Sequence, residues 1–389
     1  METYIGILSG TSLDAIDVVG VNFDNPKPRC LFTESHPLPE HFKQSCLDIT
    51  QTGQIDIHQL GTLDAQCGEL FAKAILTTLD SHKISQDSIQ AIGSHGINLC
   101  HSPNSEPPFT LQIGDPNIIA ERTKILTVAD FRRRDIAAGG QGAPLAPIMH
   151  EAFFKQEGTT RVIVNIGGIA NISILSKEKN QAALGFDTGP GNCLLDDWVQ
   201  KHFATPFDIN GTLGARGKVH VDLLHTLLAD PYFKAPMPKS TGREYFNLTW
   251  VQMNLHQFSS EYIPPEDILA TLYALSAMTI ADQIKQSTQA DEIYVCGGGA
   301  KNPYLIELLN YQLQKKVHKT DVLGIAHDWV EGILFAFLAK QALHQTPVLL
   351  PNDEGHVRPV LLGGVYGQFA SSDAKGQTSE QTAFTTIPH

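Results

Sequence analysis

Paired cysteines, long apolar runs and an excess of positive charge are all missing from this chain of 389 residues, and each absence removes a class of protein. The six cysteines (Cys30, Cys46, Cys67, Cys100, Cys193, Cys296) are scattered, with no Cys-x-x-Cys. That argues against a disulfide framework or a zinc module and fits reduced, mostly buried thiols. No stretch has the eighteen or so uninterrupted apolar residues of a membrane span, and Met1-Glu-Thr leads into a strand without a basic leader. The expectation is a cytoplasmic protein with no membrane partner. Lysine and arginine number 28 against 41 aspartates and glutamates, a formal charge of −13. A phosphate backbone is bound through a basic surface, so no nucleic acid is expected either. What is present, 42% hydrophobic and 18% charged residues, is the balance of a globular enzyme, at a length that suggests about two domains.

The stretch from Gly6 to Asp17 organises the rest. Apolar runs flank it, Tyr4–Leu8 before and Val18–Phe23 after, so it reads as the turn of a β-hairpin. Gly10 lets the backbone approach an anion, and the Thr11 and Ser12 hydroxyls with neighbouring N–H groups are neutral donors for phosphate oxygens. Asp14 and Asp17 are better suited to a hydrated magnesium than to the phosphate itself. The plain alternative is a polar turn with two solvated aspartates. A third strand, Cys30–Leu38, precedes two helical stretches, the second a long amphipathic helix over Ile57–His82. Ala91–Gly96 is then a strand that breaks at Ser94-His-Gly, where an α/β sheet hands its last residues to a ligand crevice; a turn histidine bonded to backbone is the alternative for His95.

From Phe109 to Pro147 polar residues crowd together. Thr110–Pro116 reads as a strand ending in Gly-Asp-Pro, Asn117–Arg122 as a short helix and Lys124–Val128 as a strand. An extended segment after it would project Arg132 and Arg134 the same way, a fork for a carboxylate or phosphate; they could equally pair with Asp130 and Asp135 at a domain junction. Arg161–Leu175 is a second hairpin with a Gly167-Gly168 tip, and two such tips facing each other would clasp a polyphosphate. A strand over Ala182–Phe186 ends in Asp187-Thr-Gly-Pro-Gly-Asn192. A carboxylate there, with Gly189 and Gly191 leaving room, suits a general base, with Asn192 the more natural cap of the following helix. Pro236–Asn247 is a loop too polar to be core. Glu292–Cys296 is a strand, Gly297-Gly298-Gly299 to Asn302 a bare-backbone segment suited to a nucleoside, and Trp329–His344 the last strong helix, with Glu331 in its first turn. The residues beyond Gly367 are polar and read as a mobile tail.

Together these motifs resemble the two phosphate hairpins and the adenosine segment of the actin-like ATPase and sugar kinase superfamily. Ser9–Asp14, Ser94–Gly96, Gln112–Asp115, Asp130–Arg132 with Gly139–Pro144, Asn165–Asn171 and Asp187–Asn192 resemble the anhydro-N-acetylmuramic acid kinase family in particular. The resemblance runs from Gly6 to about Leu338, with Ala15 in place of a usual Gly and Ile97-Asn98 in place of Gln-Thr.

It implies an α/β fold of two ribonuclease-H-like lobes with an active-site cleft between them: residues 1–131 with part of 348–370, then 132–347, then a tail from 371 to 389. It implies ATP and Mg2+ as cofactors, a small amino sugar as partner, and leaves room for a homodimer. Asp187 would activate water, Arg132 or Arg134 would support the sugar or the transferred phosphoryl, and Glu331 would help organise magnesium together with Asp14. The stretch Gly10, Thr11, Ser12, Leu13, Asp14, Ala15, Ile16 and Asp17, with Gly167, Gly168, Gly297, Gly298, Gly299 and Asn302, would bind the nucleotide. His95, Gly96, Asp115 and Asn192 would line the sugar site. The rival readings are a kinase for another sugar, with Asp187 deprotonating a hydroxyl, and an ATP-driven conformational protein like actin or the heat-shock chaperones.

Overall fold

A computed structural model describes residues 2–10, 13–258, 262–351 and 357–367; Thr11, Ser12 and the segment 371–389 lie outside the described residues. Three antiparallel strands open the chain: β1 (Thr3–Leu8), β2 (Ala15–Asn22) and β3 (Arg29–Pro37). β1 is buried along its whole length, as a run without alternation predicts for a strand covered on both faces. Helices α1 (Glu40–Thr52) and α2 (Ile57–Ser81) follow. Asp56 caps α2 by accepting the His58 and Gln59 N–H groups, and Leu63, Cys67, Phe71, Ile75 and Leu79, each four residues on, form its buried stripe. β4 (Ile89–Ser94) returns parallel to β1. A small hairpin of β5 (Ile97–Ser102) and β6 (Phe109–Ile113), the helix α3 (Pro116–Thr123) and β7 (Thr127–Ala129), parallel to β4, complete the first half.

Helices α4 (Phe131–Ala137) and α5 (Ala146–Phe154) lead into a repeat of the same plan. β8 (Arg161–Ile166), β9 (Ile169–Leu175) and β10 (Leu184–Pro190) are antiparallel neighbours, followed by α6 (Cys193–Phe203). The helices α7 (Val221–Leu228), α8 (Pro231–Lys234), α9 (Leu248–Phe258) and the buried α10 (Pro265–Ser287) come next. β11 (Glu292–Cys296), parallel to β8, α11 (Pro303–Leu313) and β12 (Val317–Lys319) close that sheet. The chain then runs through α12 (Val330–Leu343), the hairpin of β13 (Val348–Pro351) and β14 (Val357–Val360), and β15 (Gly364–Tyr366), which pairs with β7. The strand orders are β15-β7-β4-β1-β2-β3 and β10-β9-β8-β11-β12. Three antiparallel strands followed by parallel ones, twice over, is the ribonuclease-H-like plan of the actin-like fold.

α12 is apolar on nearly every side, and its place explains why. A Cβ on Gly6 would lie 1.8 Å from the Gly332 carbonyl oxygen, and one on Gly93 would lie 1.9 Å from that of Phe335. Two bare strand positions thus let the helix backbone rest on the first sheet. Its other side chains share a core with Ile163, Leu175, Tyr294 and Cys296 of the second sheet. The helix therefore sits at the junction, and carries Glu331 there.

One local expectation fails. The segment after Asp130 is not extended: Asp130 has φ +62° and Phe131 begins α4. Residues two apart on a helix point about 200° apart, so Arg132 and Arg134 diverge. Arg134 is exposed and donates from Nε to the Leu361 carbonyl at 3.3 Å, away from the arginine fork envisaged for it. Neither arginine holds the junction through Asp130 or Asp135. Arg133 pairs with Asp130 at 3.1 Å, and Arg358 of β14 with Asp135 at 2.9 Å.

Candidate active site

Asp187 lies within β10, at a register shift where Asp187 pairs with Asn171 and Gly189 with Ala170. Its neighbour Gly189 has φ +144°, and a Cβ there would meet the Phe233 ring at 2.8 Å, so glycine is required on both grounds. Three contacts from one distant segment hold the aspartate. Its N–H donates to the Lys239 carbonyl (2.9 Å), its carbonyl accepts the Tyr232 hydroxyl (2.9 Å), and Oδ2 accepts the Thr241 N–H (3.0 Å). Burial pushes its carboxyl up to about 7; the Thr241 N–H and the charge of Arg132 pull back, and Glu244 adds to the rise. A carboxylate poised near neutrality is suited to taking a proton and giving it back.

Arg132 is the cation of this group. Its Nε donates to His95 Nε2 at 2.8 Å and its Nη1 to the Gly142 carbonyl at 2.9 Å. His95 must then carry its proton on Nδ1, and burial, followed by the Arg132 charge, holds its pKa well below the usual value, so it is neutral. The ring stacks on Phe335 of α12 at 4.6 Å between centroids. Burial lowers the Arg132 pKa, while Glu331, Asp187 and Asp135 favour its charge. The glycine loop that supplies the Gly142 carbonyl is pinned from below: buried Asp135 accepts the Gly142 N–H at 2.7 Å and the Arg358 Nη2 at 2.9 Å. His95 is thus more than a turn residue. Gly96, at φ +74°, could not carry a Cβ, which would lie 2.4 Å from the Ile113 carbonyl.

The glycine turns meet through Asn192. The Gly168 carbonyl accepts the Gly191 N–H (2.9 Å) and the Cys193 N–H (3.0 Å), and the Gly167 carbonyl accepts that of Asn192 (2.9 Å). The Asn192 side chain does not cap α6; its Nδ2 donates back to the Ile166 carbonyl at 3.2 Å. A Cβ on Gly299 would meet Asn192 Oδ1 at 3.2 Å, so Asn192 stands beside the bare segment expected to hold the nucleoside, and none of its hydrogen bonds reaches the His95 group. Gly297, at φ +78°, has no room for a Cβ, which would lie 2.4 Å from Asn165 Oδ1. Asn302, expected at the nucleotide, spends its amide on structure: Oδ1 accepts the Leu305 N–H at 3.2 Å and Nδ2 donates to the Tyr273 hydroxyl at 2.8 Å. In the first turn Leu13 and Ile16 are buried in the lobe core, so they can serve a ligand through backbone alone; Ala15 begins β2. Thr11 and Ser12, named as phosphate donors, lie outside the described residues.

The acidic residues separate into two kinds. Asp14 is exposed and paired with Lys43 at 2.5 Å, and Asp115 accepts the Asn117 N–H at 2.8 Å as the cap of α3. Both carboxylates are matched locally, which weakens their assignment to metal and to sugar. Asp17 and Glu331 are different. Asp17 accepts the Ser35 hydroxyl at 2.6 Å, and its pKa is raised by burial and by Asp328. Glu331 accepts the Asn165 Nδ2 at 3.3 Å; it is solvent-exposed, and the protein packed around it, then more weakly Asp17, raises its pKa. Among the described residues no three histidine, cysteine or acidic side chains already converge as a metal site.

Tyr232, Lys239, Thr241 and Ser35 are the contributors that sequence reasoning did not single out. The polarity of the 236–247 loop was the available signal, without any hint of its target. The family model for anhydro-N-acetylmuramic acid kinase matches residues 2–368. Curated relatives of that name include one from Coxiella burnetii, 46% identical over 94% of this chain and 97% of its own. Another from Photobacterium profundum is 45% identical over 94% of this chain and 99% of its own, and one from Pasteurella multocida 44% identical over 93% and 96%.

Proposed function

The chain belongs to the anhydro-N-acetylmuramic acid kinase family, and on that premise we propose how its own residues carry the reaction. It is an ATP-dependent kinase of cell-wall recycling that turns 1,6-anhydro-N-acetylmuramic acid into N-acetylmuramic acid 6-phosphate. An anhydro sugar has no free O6, so two events must be joined. Water oxygen bonds to the anomeric carbon, the C1–O6 bond breaks, and the electron pair released on O6 takes the γ-phosphoryl group as ADP leaves. Asp187 accepts the water proton and later releases it to solvent.

The observation that carries this reading is the Asp187 carboxyl, held by a backbone N–H and pushed up to about 7 inside the cleft. Arg132, whose charge acts on both Asp187 and Glu331, supports the oxygen and phosphoryl group that become negative as the bridge opens, and neutral His95 holds the guanidinium in place without competing charge. The Gly167-Gly168 turn and the bare Gly298 backbone form the nucleotide wall. The donor set fits magnesium at Asp17 and Glu331, two hard oxygen ligands whose raised pKa values reflect the protein packed around them and acidic neighbours. A bound magnesium ion would neutralise phosphate charge there. We propose lobes of 1–131 with part of 348–370 and 132–347, with α12 shared at their junction, a cytoplasmic setting, and closure of the cleft over both substrates.

Heavy-oxygen water is the test. The product should carry the label at the anomeric position when read before exchange, and Asp187→Asn should bind both substrates yet lose about 10²- to 10⁴-fold in turnover. Label absent from the anomeric carbon, or an Asn variant with near-normal turnover, overturns the mechanism.

A further inference from the structure

The segment Pro236–Asn247 crosses from α8 to α9, and it supplies two of the three contacts that hold Asp187. Its ends are fixed. Fully buried Phe246 stacks on Phe233 at 5.6 Å between centroids and meets the Tyr232 and Trp250 rings edge-on. Asp230, the cap of α8, accepts the Tyr245 hydroxyl and the Trp250 Nε1, each at 2.9 Å. The middle of the segment has no such apolar anchor. It is held by Lys239, whose half-buried ammonium donates to the Tyr232 carbonyl at 2.9 Å and the Phe233 carbonyl at 3.2 Å and lies 4.7 Å above the Tyr232 ring. A cation on the last carbonyls of a short helix is favourably placed.

The result is a closed loop of contacts: Lys239 side chain to α8, Tyr232 of α8 to the Asp187 carbonyl, Asp187 N–H to the Lys239 carbonyl, and Thr241 N–H to the Asp187 carboxylate. We propose that this segment is a strap that covers and aims the general base, and that Lys239 is a positioning residue of the reaction, acting through the strap and not on the substrate. The proposal rests on the reading of Asp187 as the base.

The groups acting on the Asp187 charge are Arg132 from α4 and the Thr241 N–H and Glu244 from the strap, while Tyr232 of α8 bonds only its backbone carbonyl. Burial is the largest of these influences, and the strap provides part of the cover. Loosening it admits water, and that gain in solvation outweighs the lost Thr241 hydrogen bond, so the carboxyl should titrate lower. The base then becomes both weaker and less well aimed.

Lys239→Met keeps the stem and removes the ammonium. In protein carrying carbon-13 at aspartate carboxyls, with Asp187→Asn identifying the signal, its midpoint should fall by about one pH unit from the wild-type value, one unit being a tenfold change in equilibrium. Turnover should drop with KM for ATP unchanged, and Lys239→Arg, which can still donate to both carbonyls, should recover most of both. A Met variant whose midpoint stays at the wild-type value overturns the proposal, whatever its turnover. Should Lys239→Met not fold, Tyr232→Phe deletes only the hydroxyl on the Asp187 carbonyl, and the same displacement or its absence decides. The titration needs no turnover, so failure of the strap is distinguishable from failure of Asp187 as base, which Asp187→Asn kinetics report separately.

Discussion

The turn between β1 and β2 and the turn between β8 and β9 hold equivalent places in two sheets of the same plan, and they are secured in different ways. Around Gly10 a Cβ would meet nothing within 4 Å among the described residues, and the described part of the turn is closed by one backbone bond, Leu13 N–H to the Gly10 carbonyl at 3.0 Å. Gly167 and Gly168, in contrast, have their carbonyls taken by three N–H groups at the junction of β10 and α6, and a Cβ on Gly191 would lie 2.4 Å from the Gly167 carbonyl. β10 is also the strand of Asp187. One turn is therefore built as a unit with the strand of Asp187, whereas the other has room at its glycine. On the function proposed above, this division would let the fixed turn define the geometry and the roomier one accommodate the polyphosphate.

Gly191→Val should have the largest effect, because it forces a side chain into the fixed junction. Overpacking of this kind costs about 1–3 kcal/mol, seen as a lowered melting temperature, and nucleotide binding should fall with it. Wild-type thermal stability in this variant would mean that the second turn is not rigidly clamped. Gly10→Val should separate the two turns: melting temperature unchanged, ATP affinity reduced about tenfold by the loss of one hydrogen bond to a charged group, and sugar affinity unaffected. Equal loss of both ligands would remove the distinction between the walls.

The smallest effect concerns the charge that the fixed side carries. The Asp187 carboxyl titrates at about 7 in the folded protein, above the ordinary carboxylate value, so its ionisation opposes folding as pH rises through 7, and stability is fully kept only below the unfolded value. Asp187→Asn should accordingly melt higher than wild type at pH 8 and show no such gain near pH 4. Thermal scans at the two pH values check it, and a gain at pH 4 instead would reverse the sign argued for the base.

Much of the architecture was legible in the sequence. The strand Glu292–Cys296 has the expected bounds, the long helix ends one residue before its expected end, and the hairpin around Gly167-Gly168 lies where glycines interrupt an apolar run. These features are local. Apolar periodicity and glycine dihedrals act over a few residues, so a short window of sequence contains their cause. The short helix α5, buried on most of its length, was missed for lack of any polar face to give it a period.

The side chains of the site divide the same way. Asp187, Arg132, His95 and Glu331 were singled out by their motifs alone. What each one touches was decided by tertiary structure. α4 turned Arg134 away, local partners took Asp14, Asp115 and Asn302, and a loop some fifty residues beyond Asp187 returned to hold it. Residue type and spacing determine which groups can bond; a hydrogen bond needs its partners within about 3 Å and in line, and only the folded backbone brings distant groups to that range.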